Sequence, residues 1–111
     1  MDINELAKKV EEVSNGYSKQ FGINRDNDWF IFKIQEELGE MIKDYLMWTK
    51  RGRQKGLSEE ELRKNFETEL ADLLCQVLLF ANHNNVDLMK RIEEKWFKYQ
   101  KERQSKKETS D

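Results

Sequence analysis

The complete absence of proline is the feature that most limits how this chain of 111 residues can fold. Proline ends helices, so a chain without it can form long, uninterrupted ones. Hydrophobic residues make up 37% of the sequence and charged residues 38%, a composition typical of amphipathic helices rather than of a β-sandwich, a barrel or a fibre. The length leaves room for one domain. We therefore expect a single all-α domain.

Four segments repeat apolar residues at steps of three and four, which is the spacing along one face of a helix. The predicted helices span about residues 2–20, 29–50 and 58–82, and a last helix begins at Asp87 and runs through Tyr99. Asp2 with Glu5, and Ser58 with Glu61, have the three-residue spacing of capping boxes. The chain is therefore expected to fold as four helices.

The expected domain covers residues 1–103, and the charged tail 104–111 is expected to be frayed. A helical domain this short and polar builds only a thin core. The sequence nevertheless contains three Trp, six Phe and three Tyr. We therefore expect a four-helix bundle that is completed by homo-oligomerisation, as a dimer or a dimer of dimers.

Charge and hydropathy exclude several other classes of protein. The net charge of −2 gives no uniform field that would attract nucleic acid. The longest weakly polar run, residues 73–81, is far shorter than the roughly 20 residues that cross a bilayer, so no membrane span is expected. No basic region followed by an apolar one opens the sequence, which predicts a cytoplasmic location. Cys75 is the single cysteine and is expected to be an inert core thiol.

Two acidic pairs stand out by their setting rather than by their spacing. Each member of the pairs Glu37 with Glu40 and Glu69 with Asp72 directly precedes an apolar stripe residue, at the margin of the buried face. After Asp72 no charged side chain occurs until residue 87. Carboxylates that converge beside a core resist ionisation unless cations neutralise them, and all-oxygen ligands suit Mg²⁺, with Mn²⁺ as a substitute. The alternative is that these acids pair with lysines on a solvated flank.

Three stretches carry acidic and apolar residues in a recognisable order. They are Lys33-Ile-Gln-Glu36-Glu37-Leu-Gly39-Glu40, then Glu69-Leu-Ala-Asp72-Leu-Leu, then Ala81-Asn82 with Val86-Asp87-Leu88. This order resembles the MazG-like family of all-α nucleoside triphosphate pyrophosphohydrolases, over about residues 28–103. The resemblance implies that Mg²⁺ is held by Glu37, Glu40, Glu69 and Asp72, and that Glu36 is an outer-shell group or the base that orients water.

The same resemblance implies roles for residues outside the acidic pairs, each with a plainer alternative. Lys33 contacts phosphate or simply balances the acids, and Lys95 and Arg103 reach phosphates or are solvated helix charges. Tyr99 stands where the family often has Asn. Trp48 stacks on the nucleobase or belongs to the core, and Asn82 bonds sugar or base or caps its helix. His83, the one histidine, has no partner in the sequence for a zinc site.

The function implied by the resemblance is hydrolysis of a nucleoside triphosphate to the monophosphate and pyrophosphate, in the service of nucleotide-pool house-cleaning. A carboxylate-bridged di-iron bundle needs Glu-x-x-His on two helices, and the single histidine excludes it. A non-catalytic helical interaction or regulatory module, in which the acidic pairs are structural, remains the alternative.

Overall fold

The computed structural model describes residues 1–109 and contains helices, turns and loops but no strand over that range. Its helices are α1 (Ile3–Phe21), α2 (Asn27–Trp48), α3 (Glu59–His83), α4 (Leu88–Ile92) and α5 (Lys98–Thr109). A π-helical turn, Glu93–Phe97, joins α4 to α5 without a break, so residues 88–109 form one rod that we call the C-terminal arm. The predicted all-α class and four helical segments are confirmed.

Side chains at the helix starts explain where each helix begins. Asp2, Asp26, Ser58 and Asp87 each accept a hydrogen bond from a backbone N–H in the first turn of the helix that follows. The Ser58 backbone N–H in turn donates to the Glu61 carboxylate, so the predicted capping box is complete. The second helix begins two residues earlier than predicted because Asp26 caps it, and it ends two residues earlier as well, with Thr49 as its C-cap.

Helices α2 and α3 form an antiparallel hairpin, which is the centre of the fold. Phe30 near the start of α2 packs against Phe80 near the end of α3, with ring centroids 6.4 Å apart. At the other end of the hairpin Tyr45 packs against Phe66 at 5.8 Å. Phe30 and Leu78 are fully buried, and α1 covers part of α3. The core is thin, as the composition predicts.

One side of this hairpin carries apolar side chains that the single chain does not cover. Its members recur at helical steps on both helices, and antiparallel packing turns the two stripes to the same side of the hairpin. Each is between 37% and 49% exposed; they are Ile31, Leu38, Ile42 and Tyr45 on α2 and Leu70, Leu74 and Val77 on α3. We call this set the apolar face.

The C-terminal arm extends away from the other helices. Its first part, α4, rests on α1, where Asn4 Nδ2 donates a hydrogen bond to Asp87 Oδ1 at 3.1 Å. Between Ile92 and Thr109, the last described residue of the arm, the arm makes at most marginal contact with α1, α2 or α3. The radius of gyration is 18.5 Å, whereas a compact chain of this length has about 13 Å.

The tail for which the sequence predicts fraying continues the helix to Thr109, and residues 110–111 of that tail lie outside the described part of the chain. None of the helices within residues 1–109 combines the length and apolarity needed to cross a membrane.

Candidate metal centre

Three of the four predicted metal ligands meet in the groove between α2 and α3. Glu37 on α2 and Glu69 and Asp72 on α3 each offer a carboxylate oxygen, and these three atoms lie within 4.8 Å of one another. Glu37 and Glu69 are half-buried and Asp72 is exposed, so the cluster opens to solvent on one side. We call these residues the acidic triad.

Glu69 is the member of the acidic triad whose ionised form is least favourable. Burial, together with the Glu37 carboxyl close enough to share a proton and the negative charges of Asp72 and Asp44, raises the pKa of Glu69 to about 7. Its Oε2 atom is buried and has no hydrogen-bond partner within the described part of the chain. A buried oxygen without a donor is unfavourable, so this carboxyl takes either a proton or a cation.

The fourth predicted ligand, Glu40, lies outside the triad. Its carboxylate forms an ion pair with Lys43 at 3.0 Å on the surface of α2. That contact raises the pKa of Lys43, through the hydrogen bond and charge of Glu40 and also through the charges of Asp44 and Glu69. Glu40 therefore borders the triad without joining it.

Glu36 and Lys33 pair with each other rather than with the triad. The Lys33 ammonium lies 3.1 Å from a Glu36 carboxylate oxygen and also over the ring of Trp29, 5.7 Å from its centroid. The Glu36 side chain is exposed and the Lys33 side chain is half-buried, so solvent screens the ion pair and it is weak.

Two groups near the triad are not among the residues predicted from the sequence. The charge of Asp44 on α2 acts on Glu69, and the Oε1 atom of Gln76 on α3 is buried with no hydrogen-bond partner among the residues that the structure describes. Both have a sequence signal, since Asp44 is four residues after Glu40 and Gln76 four residues after Asp72 on the same helix faces.

The donor set fits a hard divalent cation. Three carboxylates, with the amide oxygen of Gln76 one turn further along α3, offer oxygen ligands alone, which is the chemistry that Mg²⁺ and Mn²⁺ prefer. The closeness of the carboxylates explains both observations. Their repulsion raises the pKa of Glu69, and a bound cation would relieve the same repulsion.

Trp48 and Asn82 lie away from the triad along the hairpin. Trp48 stacks on Phe66 with centroids 5.4 Å apart, and the Arg63 guanidinium lies 4.4 Å from the Trp48 ring centroid. Asn82 is exposed and lines a cavity of about 270 Å³ between α1 and the start of α4. It does not cap α3, because that role belongs to Asn84, whose side chain donates to the Phe80 carbonyl. His83 packs against Phe30 at 4.9 Å.

The structure brings Lys95, Tyr99 and Arg103 together, but not to the triad. All three line one groove along the arm, with Trp96 beside them. Over the described residues the arm beyond Ile92 makes at most marginal contact with α2 or α3, and the groove is lined by arm residues, so within one chain these side chains stand apart from the acidic triad.

Cys75 is half-buried on α3, and burial, followed by the charge of Asp72, raises the pKa of its thiol. This keeps the thiol protonated, in line with an inert role.

The chain matches no protein-family model, no curated protein and no solved structure. The resemblance to the MazG-like family accordingly remains a prediction from the sequence motifs.

Proposed function

We propose that this chain is a Mg²⁺-dependent nucleoside triphosphate pyrophosphohydrolase that acts as a homo-oligomer. The observation that carries the proposal is the convergence of Glu37, Glu69 and Asp72 from two helices to within 4.8 Å. The order of acidic residues along the chain, which resembles the MazG-like family, supplies the reaction class.

In this proposal the triad carboxylates bind the cation, and Glu69 does so after losing a proton. A divalent cation held by these carboxylates would gather phosphate oxygens and stabilise the negative charge that develops on them. Water attacks a phosphorus of the anhydride that joins the monophosphate to the pyrophosphate; a new P–O bond forms as the anhydride bond breaks, the monophosphate and pyrophosphate separate, and a nearby carboxylate accepts the proton that the water loses. Glu36 and Glu40 lie on the same helix, each in an ion pair with one lysine, and they orient the attacking water or complete the outer shell.

The apolar face supports the oligomeric part of the proposal. Seven large apolar side chains on one side of a two-helix hairpin form a contiguous patch of the kind that marks an interaction surface. A second copy packed there would complete a four-helix bundle.

The direct test is to incubate the purified protein with Mg²⁺ and a panel of nucleoside triphosphates, and to measure pyrophosphate and monophosphate in equal amounts. We expect Glu37→Gln and Asp72→Asn each to lower turnover by a factor on the order of 100 or more, because each removes a charged ligand. Glu12→Gln, an exposed acid on α1, is the matched control and should retain full activity.

Equal turnover in the triad variants and in the control would contradict the metal assignment. Release of orthophosphate alone would contradict the reaction class.

The alternative function is a helical interaction module without turnover, and the exposed apolar face is the observation that favours it. It predicts no product from any nucleoside triphosphate and a melting temperature that Mg²⁺ does not change.

A further inference from the structure

The loop that joins α2 to α3 carries a concentrated positive charge. Lys50, Arg51, Arg53 and Lys55 are all exposed, and no aspartate or glutamate occurs from residue 45 to residue 58. We call residues 49–58 the basic loop; its net charge is +4, in a chain whose total is −2. The three glutamates that open α3 offset this charge only in part, because residues 49–64 contain six basic and three acidic side chains, a net charge of +3.

The fold does not neutralise this charge. Within residues 1–109 none of the four cations of the basic loop forms an ion pair, whereas Lys33, Lys43 and Arg63 each do. Salt limits the reach of exposed charges to about 8–10 Å. The near-neutral total of the chain therefore does not decide which ligands this end of the hairpin attracts.

One of the four cations is held in place before any ligand arrives. The backbone N–H of Arg51 donates to the Leu46 carbonyl at 2.8 Å, and its Nε donates to Thr49 Oγ1 at 3.1 Å. The guanidinium also lies over the ring of Tyr45, 5.1 Å from its centroid. These contacts fix the plane of a guanidinium whose geometry matches two oxygens of a phosphate, so less conformational entropy is lost on binding.

The two lysines of the basic loop occupy backbone positions that do not favour lysine. Lys50 has a φ of 64° and Lys55 a φ of 53°, both in the left-handed region that glycine and asparagine adopt more readily. Stability alone would favour those residues at both positions. Strained positions of this kind cluster at ligand-binding sites, and here each of them carries a positive charge.

We propose that the basic loop binds the phosphate backbone of a nucleic acid without reading its sequence. A single anion gains little from exposed lysines, but a chain of phosphates contacts several cations at once and releases its condensed counterions. Residues 49–56 contain no aromatic side chain on which a base could stack, which leaves the backbone as the recognised part. The same residues contain no large apolar side chain to insert into a lipid surface.

The basic loop is separate from the acidic triad. Trp48, the last residue of α2, lies eleven residues beyond Glu37, or about 16 Å along the helix axis. Substitutions in the loop therefore leave the triad carboxylates in place. The binding stands whether or not the chain hydrolyses nucleotides.

The test measures how binding of an oligonucleotide depends on salt. Fluorescence anisotropy follows a labelled strand of about 20 nucleotides, longer than a typical single-strand site, with a chelator present so that no cation bridges the strand to the triad. The loop variant carries Lys50→Asn with Lys55→Asn, since asparagine tolerates the left-handed conformation. The matched control, Lys9→Gln with Lys19→Gln, removes two exposed lysines from α1.

We expect the logarithm of the wild-type association constant to fall with the logarithm of the salt concentration with a slope of about −2.8, from four phosphate contacts. Between about 50 and about 200 mM salt the affinity then falls about 50-fold. The loop variant keeps two contacts, so its slope should be about −1.4 and its loss about sevenfold. The control should follow the wild type.

A second measurement needs no variant. Bound oligonucleotide should protect Lys50 and Lys55 of the wild-type chain from acetylation, read by mass spectrometry, and should leave Lys9 and Lys19 as reactive as before.

Three results would overturn the proposal: no binding to the wild type at about 50 mM salt, a loop variant with the slope of the control, or equal acetylation of Lys50 and Lys55 with and without the strand. Polyglutamate or vesicles of anionic lipid that bind as tightly as the oligonucleotide would also overturn it, because the basic loop would then serve an acidic protein or a lipid surface.

Discussion

Replacing Glu69 with glutamine is expected to stabilise the metal-free protein above neutral pH. The pKa of Glu69 is about 7 in the folded chain, against an ordinary value of 4.5. Between these values the folded state holds a proton that the unfolded state has already lost. The free energy of unfolding therefore falls as the pH rises from about 4.5 to about 7, and the loss is complete above that range. Glutamine removes the titration while keeping nearly the same shape.

The size of the effect follows from the same shift. A change in pKa from 4.5 to about 7 corresponds to at most about 3 kcal/mol. Solvent reaches the open side of the triad and screens the charges, so we expect about 1 kcal/mol. For a chain of 111 residues this is roughly 4 °C in melting temperature.

The assay is thermal unfolding, followed by circular dichroism with a chelator present, at about pH 5 and about pH 8. Between the two pH values the melting temperature of the wild type should fall by about 4 °C relative to that of Glu69→Gln. The other titrating groups are the same in both proteins, so their contributions cancel in this comparison. Glu12→Gln should follow the wild type at both pH values. A Glu69→Gln protein that is less stable than the wild type at pH 8, or equal to it at both, would refute the account of a repulsive cluster.

Two further predictions concern the metal and the core. Added Mg²⁺ should raise the free energy of unfolding at about pH 8, by up to about 2.7 kcal/mol at a hundredfold excess over its dissociation constant. The melting temperature should rise with it. The affinity for Mg²⁺ should fall about tenfold for each pH unit below 7, because Glu69 must lose its proton to bind. Calorimetric titration at several pH values checks this. The same titration of Asp72→Asn should show weaker binding, and equal affinity in the two proteins would count against the site. Leu78→Ala should cost about 2–5 kcal/mol in urea unfolding, because the side chain is fully buried. Val13→Ala, at a site 75% exposed, should change stability by less than about 0.5 kcal/mol, and similar losses in both proteins would contradict the assignment of the core.

The helix starts were predictable from the sequence because capping is local. Ser58 and Glu61 are three residues apart, and their reciprocal bonds need nothing from the rest of the chain. The missed start of α2 has the same explanation, since Asp26 satisfies the first turn before the apolar stripe begins.

The candidate site was predictable in part. Position at the margin of an apolar stripe selected Glu37, Glu69 and Asp72, and the antiparallel hairpin brings them together. Glu40 has the same spacing, but its carboxylate pairs with Lys43 one turn on. Whether the Glu40 carboxylate pairs with a lysine or joins the carboxylate cluster depends on distances in the folded chain, and the spacing of residues in the sequence does not give these distances.

The direction of the arm was not predictable, because it depends on a π-helical turn and on how little of the chain packs against it. A regular stripe through Leu88, Ile92 and Trp96 predicts one continuous α-helix face. The turn at Glu93–Phe97 breaks that regularity, and no local residue pattern marks it.

The π-helical turn sets the phase of the arm. An inserted residue advances the helix by about 100° around its axis. Leu88, before the turn, lines a cavity together with residues of α1, whereas Tyr99 and Arg103 follow the turn and point where an unbroken α-helix would not carry them. Deleting one residue within 93–97 would therefore rotate Tyr99 and Arg103 to a different side of the arm without changing either side chain.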